Sequence, residues 1–338
     1  MATKKKMLEA AAGGAGGAGL DITDVFSTYL YEGNGAARTI TNGIDLAGEG
    51  GLVWLKSRTE GQSNYLFDTE NGANKFLISE STANLQAVSN RGVTAFNSGG
   101  FDLGSSSGGN RTANNYTSWT FRKAPKFFDV VTYTGNGSSN RQIAHNLGST
   151  PGFILIKRTD STGNWLAWHK EVNPGYGMLD LTLAFTAGAN GFVNAVADTY
   201  FETSWLNTSG ATYVAYLFAH NNSDGEFGPD SDQDIIKCGS YVSHETSPPE
   251  ITLGFEPQWI LIKKSTGVDE WALFDNMRGV PTGGNDAMLR ADLSSVEYDA
   301  ANQIDFTSTG FKLTTAGLGV TNAPTGETYI YMAIRRGP

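Results

Sequence analysis

Apolar residues in this chain come in short runs, each closed at once by Gly, Ser, Thr, Asn or Asp, and a helical period is scarcely visible. Three of these runs end in a lysine: Leu52-Val53-Trp54-Leu55-Lys56, Phe153-Ile154-Leu155-Ile156-Lys157 and Trp259-Ile260-Leu261-Ile262-Lys263, the lysines lying 101 and 106 residues apart. β-Branched and aromatic residues followed directly by turn residues predict a buried strand, closed by a lysine that snorkels to solvent or marks a sheet edge. Upstream, Tyr31-Glu32-Gly33-Asn34-Gly35 matches Tyr133-Thr134-Gly135-Asn136-Gly137, and Tyr241 holds the same place in a third copy without the glycines. Asn-Gly is a strong tight-turn signal because both residues tolerate positive φ. Downstream, Tyr116–Phe121, Tyr213–Phe218 and Tyr329–Ile334 alternate their side chains in strand fashion, each preceded by an asparagine, Asn110, Asn207 or Asn322. Pro151 and Pro257 stand where a strand begins, a position that costs no ladder hydrogen bond.

Anchors in the same order at similar spacing predict three tandem copies of about 100 residues, with short strands and frequent turns. The expected fold class is all-β: three β-sandwich/jelly-roll-like repeats at 25–126, 127–235 and 236–338, behind a basic, Gly-rich N-terminal arm at 1–24. Ala124-Pro125 marks the first junction and the acidic stretch Asn221–Asp234 the second. Only two windows, Asn74–Ala87 and Ala287–Asp299, have enough helical character for a short helix. The divergence of the copies argues against their making equivalent contacts.

Composition narrows the function. Charged residues are 17% of the chain and its 42 glycines far outnumber its 10 prolines, which favours a turn-rich β protein over a collagen-like or polyproline stalk. The net charge of −10, with no basic stripe outside Lys4-Lys5-Lys6, argues against nucleic acid as a partner. No apolar run reaches the roughly 18–20 residues of a spanning helix, so membrane insertion is not expected. Cys238 is alone, which excludes a disulfide framework and fits maturation in a reducing cytoplasm.

The Tyr-x-Gly-Asn-Gly string, the run Leu147-Gly148-x-x-Pro151-x-x-Ile154-Leu155-Ile156-Lys157 and the closing Asn207…Tyr213-Val214-Ala215-Tyr216 strand resemble a domain of virion proteins in tailed, especially marine, bacteriophages. The first copy departs by lacking the Leu-Gly…Pro approach, and the third by lacking Gly-Asn-Gly. The resemblance implies a virion structural protein made in the host cytoplasm, of tail-fibre or appendage type, with other virion proteins as partners. It carries over no catalytic residue. On this reading Lys4, Lys5 and Lys6 anchor the arm to the virion, and a homo-oligomer, preferably a trimer, presents the repeats to the host surface. A capsid-surface decoration protein is the alternative, and a surface-glycan depolymerase a lesser one.

Chemistry beyond binding has little support in the residues. His145, His169, His220 and His244 each stand alone, no nucleophile elbow, metalloprotease or phosphate-loop motif is present, and no enzyme, cofactor or metal site is expected. Asp230, Asp232 and Asp234 imitate the start of a calcium loop, but Ile235 and Tyr241 stand where Gly and Glu belong. Host glycan is the expected ligand. Trp165, Trp168 and Trp271, beside the loops after the lysine strands, are the candidate stacking platforms, against a competing role in the core or in packing between copies.

Overall fold

The computed structural model describes residues 19–105, 108–186, 191–315 and 320–338. Lys4, Lys5 and Lys6 lie outside the described residues. The fold is all-β, and each copy is a sandwich of two antiparallel sheets. In the large sheet an opening strand pairs with the closing strand, which pairs with the lysine strand, followed by a fourth and a short fifth strand. The opening strands are Phe26–Glu32, Phe128–Thr134 and Ile236–Val242; the closing strands are Asn115–Arg122, Thr212–Ala219 and Thr328–Arg335. The lysine strands are Gly51–Ser57, Pro151–Arg158 and Pro257–Lys264, and the fourth strands Tyr65–Asp68, Leu166–His169 and Trp271–Asp275. A 3-stranded sheet covers one face of each, for example Arg38–Thr41, Gly100–Leu103 and Val93–Asn97 in copy 1.

Period-2 geometry sends alternate side chains to opposite faces. In copy 1, Val53, Leu55 and Phe67 face their own small sheet, whereas Leu52, Trp54, Trp119 and Phe121 join a core that also holds Phe218 of copy 2 and Trp259 of copy 3. Ring contacts tie every pair of copies: Phe121 to Phe218 at 5.5 Å, Trp119 to Trp259 at 6.4 Å and Phe153 to Trp271 at 6.1 Å. The large sheets are therefore buried on both faces. This is why their strands read as continuous apolar runs without alternation.

The copies close into a ring with a pseudo-three-fold repeat of contacts, contrary to the expectation of inequivalent ones. Lys56 donates to Gln62 O of its own copy (2.7 Å) and to Leu293 O of copy 3 (3.1 Å). Lys157 donates to Gly163 O and, at 2.9 Å, to Thr82 O of copy 1; Lys263 donates to Asp269 O at 2.6 Å and to Thr182 O of copy 2 at 2.9 Å. The same register recurs at the end of the fourth strand. Asp68 accepts from Tyr216 of copy 2 (2.8 Å), His169 Nε2 donates to Tyr331 O of copy 3 (3.1 Å), and Asp275 accepts from Trp119 of copy 1 (2.9 Å). Burial holds the His169 imidazole near pKa 4, hence neutral, and raises the Asp68 carboxyl.

Two expectations are corrected here. The lysines neither snorkel nor lie at an edge: the lysine strand is interior to its sheet and Lys56, Lys157 and Lys263 are fully buried, their ammoniums held by carbonyls of two copies. Burial lowers each to a pKa of about 8, partly opposed by Glu80, Asp180 and Asp292 respectively. Neither helical window forms a helix. Asn74–Ala87 holds the strands Lys75–Ile78 and Gln86–Ala87, and Ala287–Asp299 holds Leu289–Arg290, because Phe76, Leu77, Leu289 and Ala291 are drawn into the cores. The four-residue helices are elsewhere, Ile22–Val25 and Leu46–Glu49, each capped by an aspartate, Asp21 or Asp45.

Candidate functional site

Strand direction sorts the loops to two ends. Every opening strand starts where its closing strand finishes, as Phe26 pairs with Phe121, Phe128 with Phe218 and Ile236 with Ile334. Both junctions between copies therefore lie at one end. There Gly337 packs against Thr23, Leu20 bridges to Phe227, and Lys126 of the first junction reaches Asp224 O and Glu226 of the second. The arm leaves from this junction end. At the opposite end lie the Tyr-x-Gly-Asn-Gly turns and the loops after the lysine strands.

A repeated clamp shapes that far end. Tyr31 stacks on Tyr116 at 5.3 Å, Tyr133 on Tyr213 at 5.0 Å and Tyr241 on Tyr329 at 5.2 Å. The first hydroxyl of each pair donates to the carbonyl just before the repeated asparagine, at Gly109, Leu206 and Thr321. The second accepts the N–H just after it, from Arg111, Thr208 and Ala323. Asn110, Asn207 and Asn322 then accept from the opposing turn, at Asn34 N, Asn136 N and His244 N. Gly33 and Gly135 are required here because a Cβ would meet a carbonyl oxygen of the facing loop at 2.2 and 2.0 Å. Copy 3 puts Ser243 at that place and bonds its hydroxyl to Pro324 O instead.

Around this frame the surface forms clefts. One of 390 Å³ at the far end of copy 1 is lined by Gly61, Gln62, Ser63, Tyr65, Arg91 and Arg111. In it the Arg91 guanidinium lies 5.2 Å from the centres of both the Tyr65 and Phe76 rings and donates to Tyr65 Oη at 2.7 Å. Arg111 pairs with the rim carboxylate Glu60 at 2.8 Å. A groove of 430 Å³ runs between copies 1 and 2, with Asn71, Lys75, Thr132, Thr159 and Tyr213 on its walls. A third, of 280 Å³, holds Lys170, Asn173, His220 and Asp224 beside Trp168 in copy 2.

Trp165 and Trp271 do not face these surfaces, and Trp168 borders only the third cleft from within the core. Trp165, Trp168 and Trp271 are 0%, 2% and 1% exposed. Trp165 donates its indole N–H to Ile78 O of copy 1 and Trp271 to Met178 O of copy 2, at 2.8 and 3.0 Å. Asn64 fills the equivalent place in copy 1, donating to Leu293 O of copy 3 at 3.0 Å. The expectation of stacking platforms is thus corrected: Trp165 and Trp271 are ring contacts between copies, and Trp168 is packed inside copy 2, bonded to Asn173 at 3.2 Å. The tryptophan that does reach solvent, among the described residues, is Trp205, 44% exposed, edge-on to Tyr176 at 5.1 Å. Its setting between Ser204 and Leu206, just ahead of the turn residues Asn207-Thr208-Ser209-Gly210, was the available signal.

The titratable groups are largely committed to structure. Each of the four histidines accepts a backbone N–H at Nδ1, from Leu147, Glu171, Cys238 and Ser247. Asp234 accepts from Ser223 N and Gly225 N and pairs with Lys237, which lowers its pKa despite burial. Among the described residues no three His, Cys, Asp or Glu side chains are grouped to hold a metal.

The match that places the chain spans residues 21–338, all three copies together. The chain belongs to the family described as a domain of unknown function, DUF7483. No curated protein and no solved structure matches it. That the DUF7483 unit takes in the whole ring agrees with the physics: a single copy would expose one face of its large sheet.

Proposed function

We propose that this chain is a non-enzymatic structural protein of a phage virion, a tail-fibre or appendage subunit that docks through its N-terminal arm and presents its far end to the host surface. One observation carries the reading: the described end of the arm, residues 19–24, and both junctions share one end, while the turns and the cleft with Arg91 and Arg111 share the other. A module built this way is held at one pole and free at the other. The far-end loops are clamped by tyrosine hydroxyls and asparagine amides, so they form a fixed surface that loses little entropy on contact. The virion assignment comes from the sequence resemblance, and Lys4, Lys5 and Lys6 remain its proposed anchor.

The ring changes the argument for oligomerisation. A fibre tip gains avidity from three-fold presentation, and this chain reaches a three-fold arrangement of sandwiches by itself. A trimer then multiplies a symmetry already present, and scattering on the purified protein separates 36.1 kDa from three times that mass.

The deciding test removes residues 1–19 and follows the protein into virions assembled beside the full-length form. The truncated chain is expected to keep its thermal transition and to be lost from particles. Its incorporation at the normal level would sink the anchoring role.

A further inference from the structure

We infer that the far-end cleft of copy 1 is a binding site for an acidic saccharide, a glycan carrying carboxylates, with Arg91 as the carboxylate-binding group. The inference deepens the reading of this end as the presented one, and its chemistry stands on copy 1 itself.

The three copies serve as mutual controls. Their frame residues coincide: the buried lysines, the stacked tyrosines and the clamping asparagines. Their cleft residues do not. By strand register, Arg91 corresponds to Gly191 and Asn302, and Arg111, next to its asparagine, to Thr208 and Ala323. Tyr65 corresponds to Leu166 and Ala272, one residue beyond the amide or indole that crosses the ring. Copy 2 closes the same place with aromatic side chains, Trp205 donating to Gly191 O at 2.9 Å and lying 6.2 Å from Phe192. Copy 1 has Gly92 where copy 2 has Phe192, and its Phe67 ring fills that place, 2.0 Å from where a Cβ would stand, while the cleft beside Tyr65 and Arg91 stays open. Several changes at separate points of the chain thus meet in one cleft and act in one direction.

The electrostatics select the ligand. Arg91 has no carboxylate partner among the described residues, and its Nε is enclosed without an acceptor. Among the described residues Arg91 is set apart by lying over two rings: Arg38 and Arg141, also without a carboxylate partner there, each lie over one tyrosine and donate to a backbone carbonyl instead. The rings fix the plane of the guanidinium, the state suited to a bidentate carboxylate. Gln62, Ser63 and the Tyr65 hydroxyl offer amide and hydroxyl partners on the same walls, which suits a hydroxylated ligand. With so few cations in the cleft, polyphosphates and nucleic acids are poor matches.

The test is calorimetric titration of the full-length protein with oligogalacturonate, against its methyl ester and against inorganic phosphate. Binding of the acid, at least about tenfold tighter than of the ester, is expected, because the ester removes the charge-assisted pair. Arg91→Gln should remove about tenfold or more of that affinity and Arg91→Lys somewhat less, since lysine keeps the charge without the fork. Both variants should melt within about 3 °C of the parent, the size of a surface substitution. Equal binding of acid and ester, an Arg91→Gln variant that binds as the parent does, or displacement of the saccharide by equimolar phosphate would each overturn the proposal. None of these readouts depends on virions, so failure of the docking reading is seen separately.

Discussion

The interior of the ring and its far end are built from the same repeated strands, yet they treat repetition in opposite ways. Inside, position after position is reused. A buried lysine donates to a carbonyl six residues on and to the neighbouring copy, and a side chain at the end of the fourth strand meets the next closing strand. Substitutions there are tolerated only when geometry is kept: Asn64 replaces Trp165 and Trp271, yet still donates across the ring. At the far end the clamps repeat but the residues they display do not, with Arg91, Gly191 and Asn302 at one register position. Buried donors must find acceptors, because an unmade bond costs its full desolvation penalty. Exposed loops carry no such obligation, which leaves them free to differ and to acquire ligands.

The largest break in this comparison should come from Asp275→Leu at the interface of copies 1 and 3. Asp275 is fully buried and accepts from Trp119 and, at 2.6 Å, from the buried Arg278, whose other side and Arg58 of copy 1 both pair with Glu297. Removing the carboxylate takes the nearest counter-charge from a buried guanidinium and the acceptor from the Trp119 indole, an expected loss of about 3–5 kcal/mol in denaturant unfolding. A loss under about 1 kcal/mol would mean that the ring closure is not part of the cooperative unit.

Lys157→Met should have a middling effect. The side-chain volume is nearly kept, but Gly163 O loses its donor and Thr82 O keeps only the Gly163 N–H, for an expected cost of about 1–3 kcal/mol. Unchanged stability would show that the cross-copy lysine bonds are idle.

The last expected signal is pH dependence. The three buried ammoniums titrate near 8 in the folded chain and near 10.5 when unfolded. Between those values the unfolded chain holds protons that the folded one has released, so stability should rise with pH over that window. Above about 10 the sign reverses, because buried Tyr31, Tyr216 and Tyr241 resist the ionisation open to the unfolded chain. Calorimetry should therefore find a gain in Tm from pH 7.5 to 9.5, and a steady fall across that range would contradict the burial of the lysines.

Repetition was legible in the sequence because the buried face of a strand tolerates few residue types. The lysine runs, the tyrosine pairs and the asparagines that precede the closing strands were all visible as patterns, and so was the all-β class. Tertiary structure decided which way the second face of each large sheet turns. A run such as Phe153–Lys157 is apolar at every position before the lysine, so it announces burial without naming the neighbour. The neighbour proved to be the other two copies. That single fact buries Trp165 and Trp271, draws the lysines inward and sets Asp275 beneath Trp119. The cleft around Arg91 was equally hidden, since Gln62, Arg91 and Arg111 come from separate loops and only strand register brings them together. Local pattern fixes which residues must be covered; the partner that covers them is set by long-range packing, which no short window of sequence encodes.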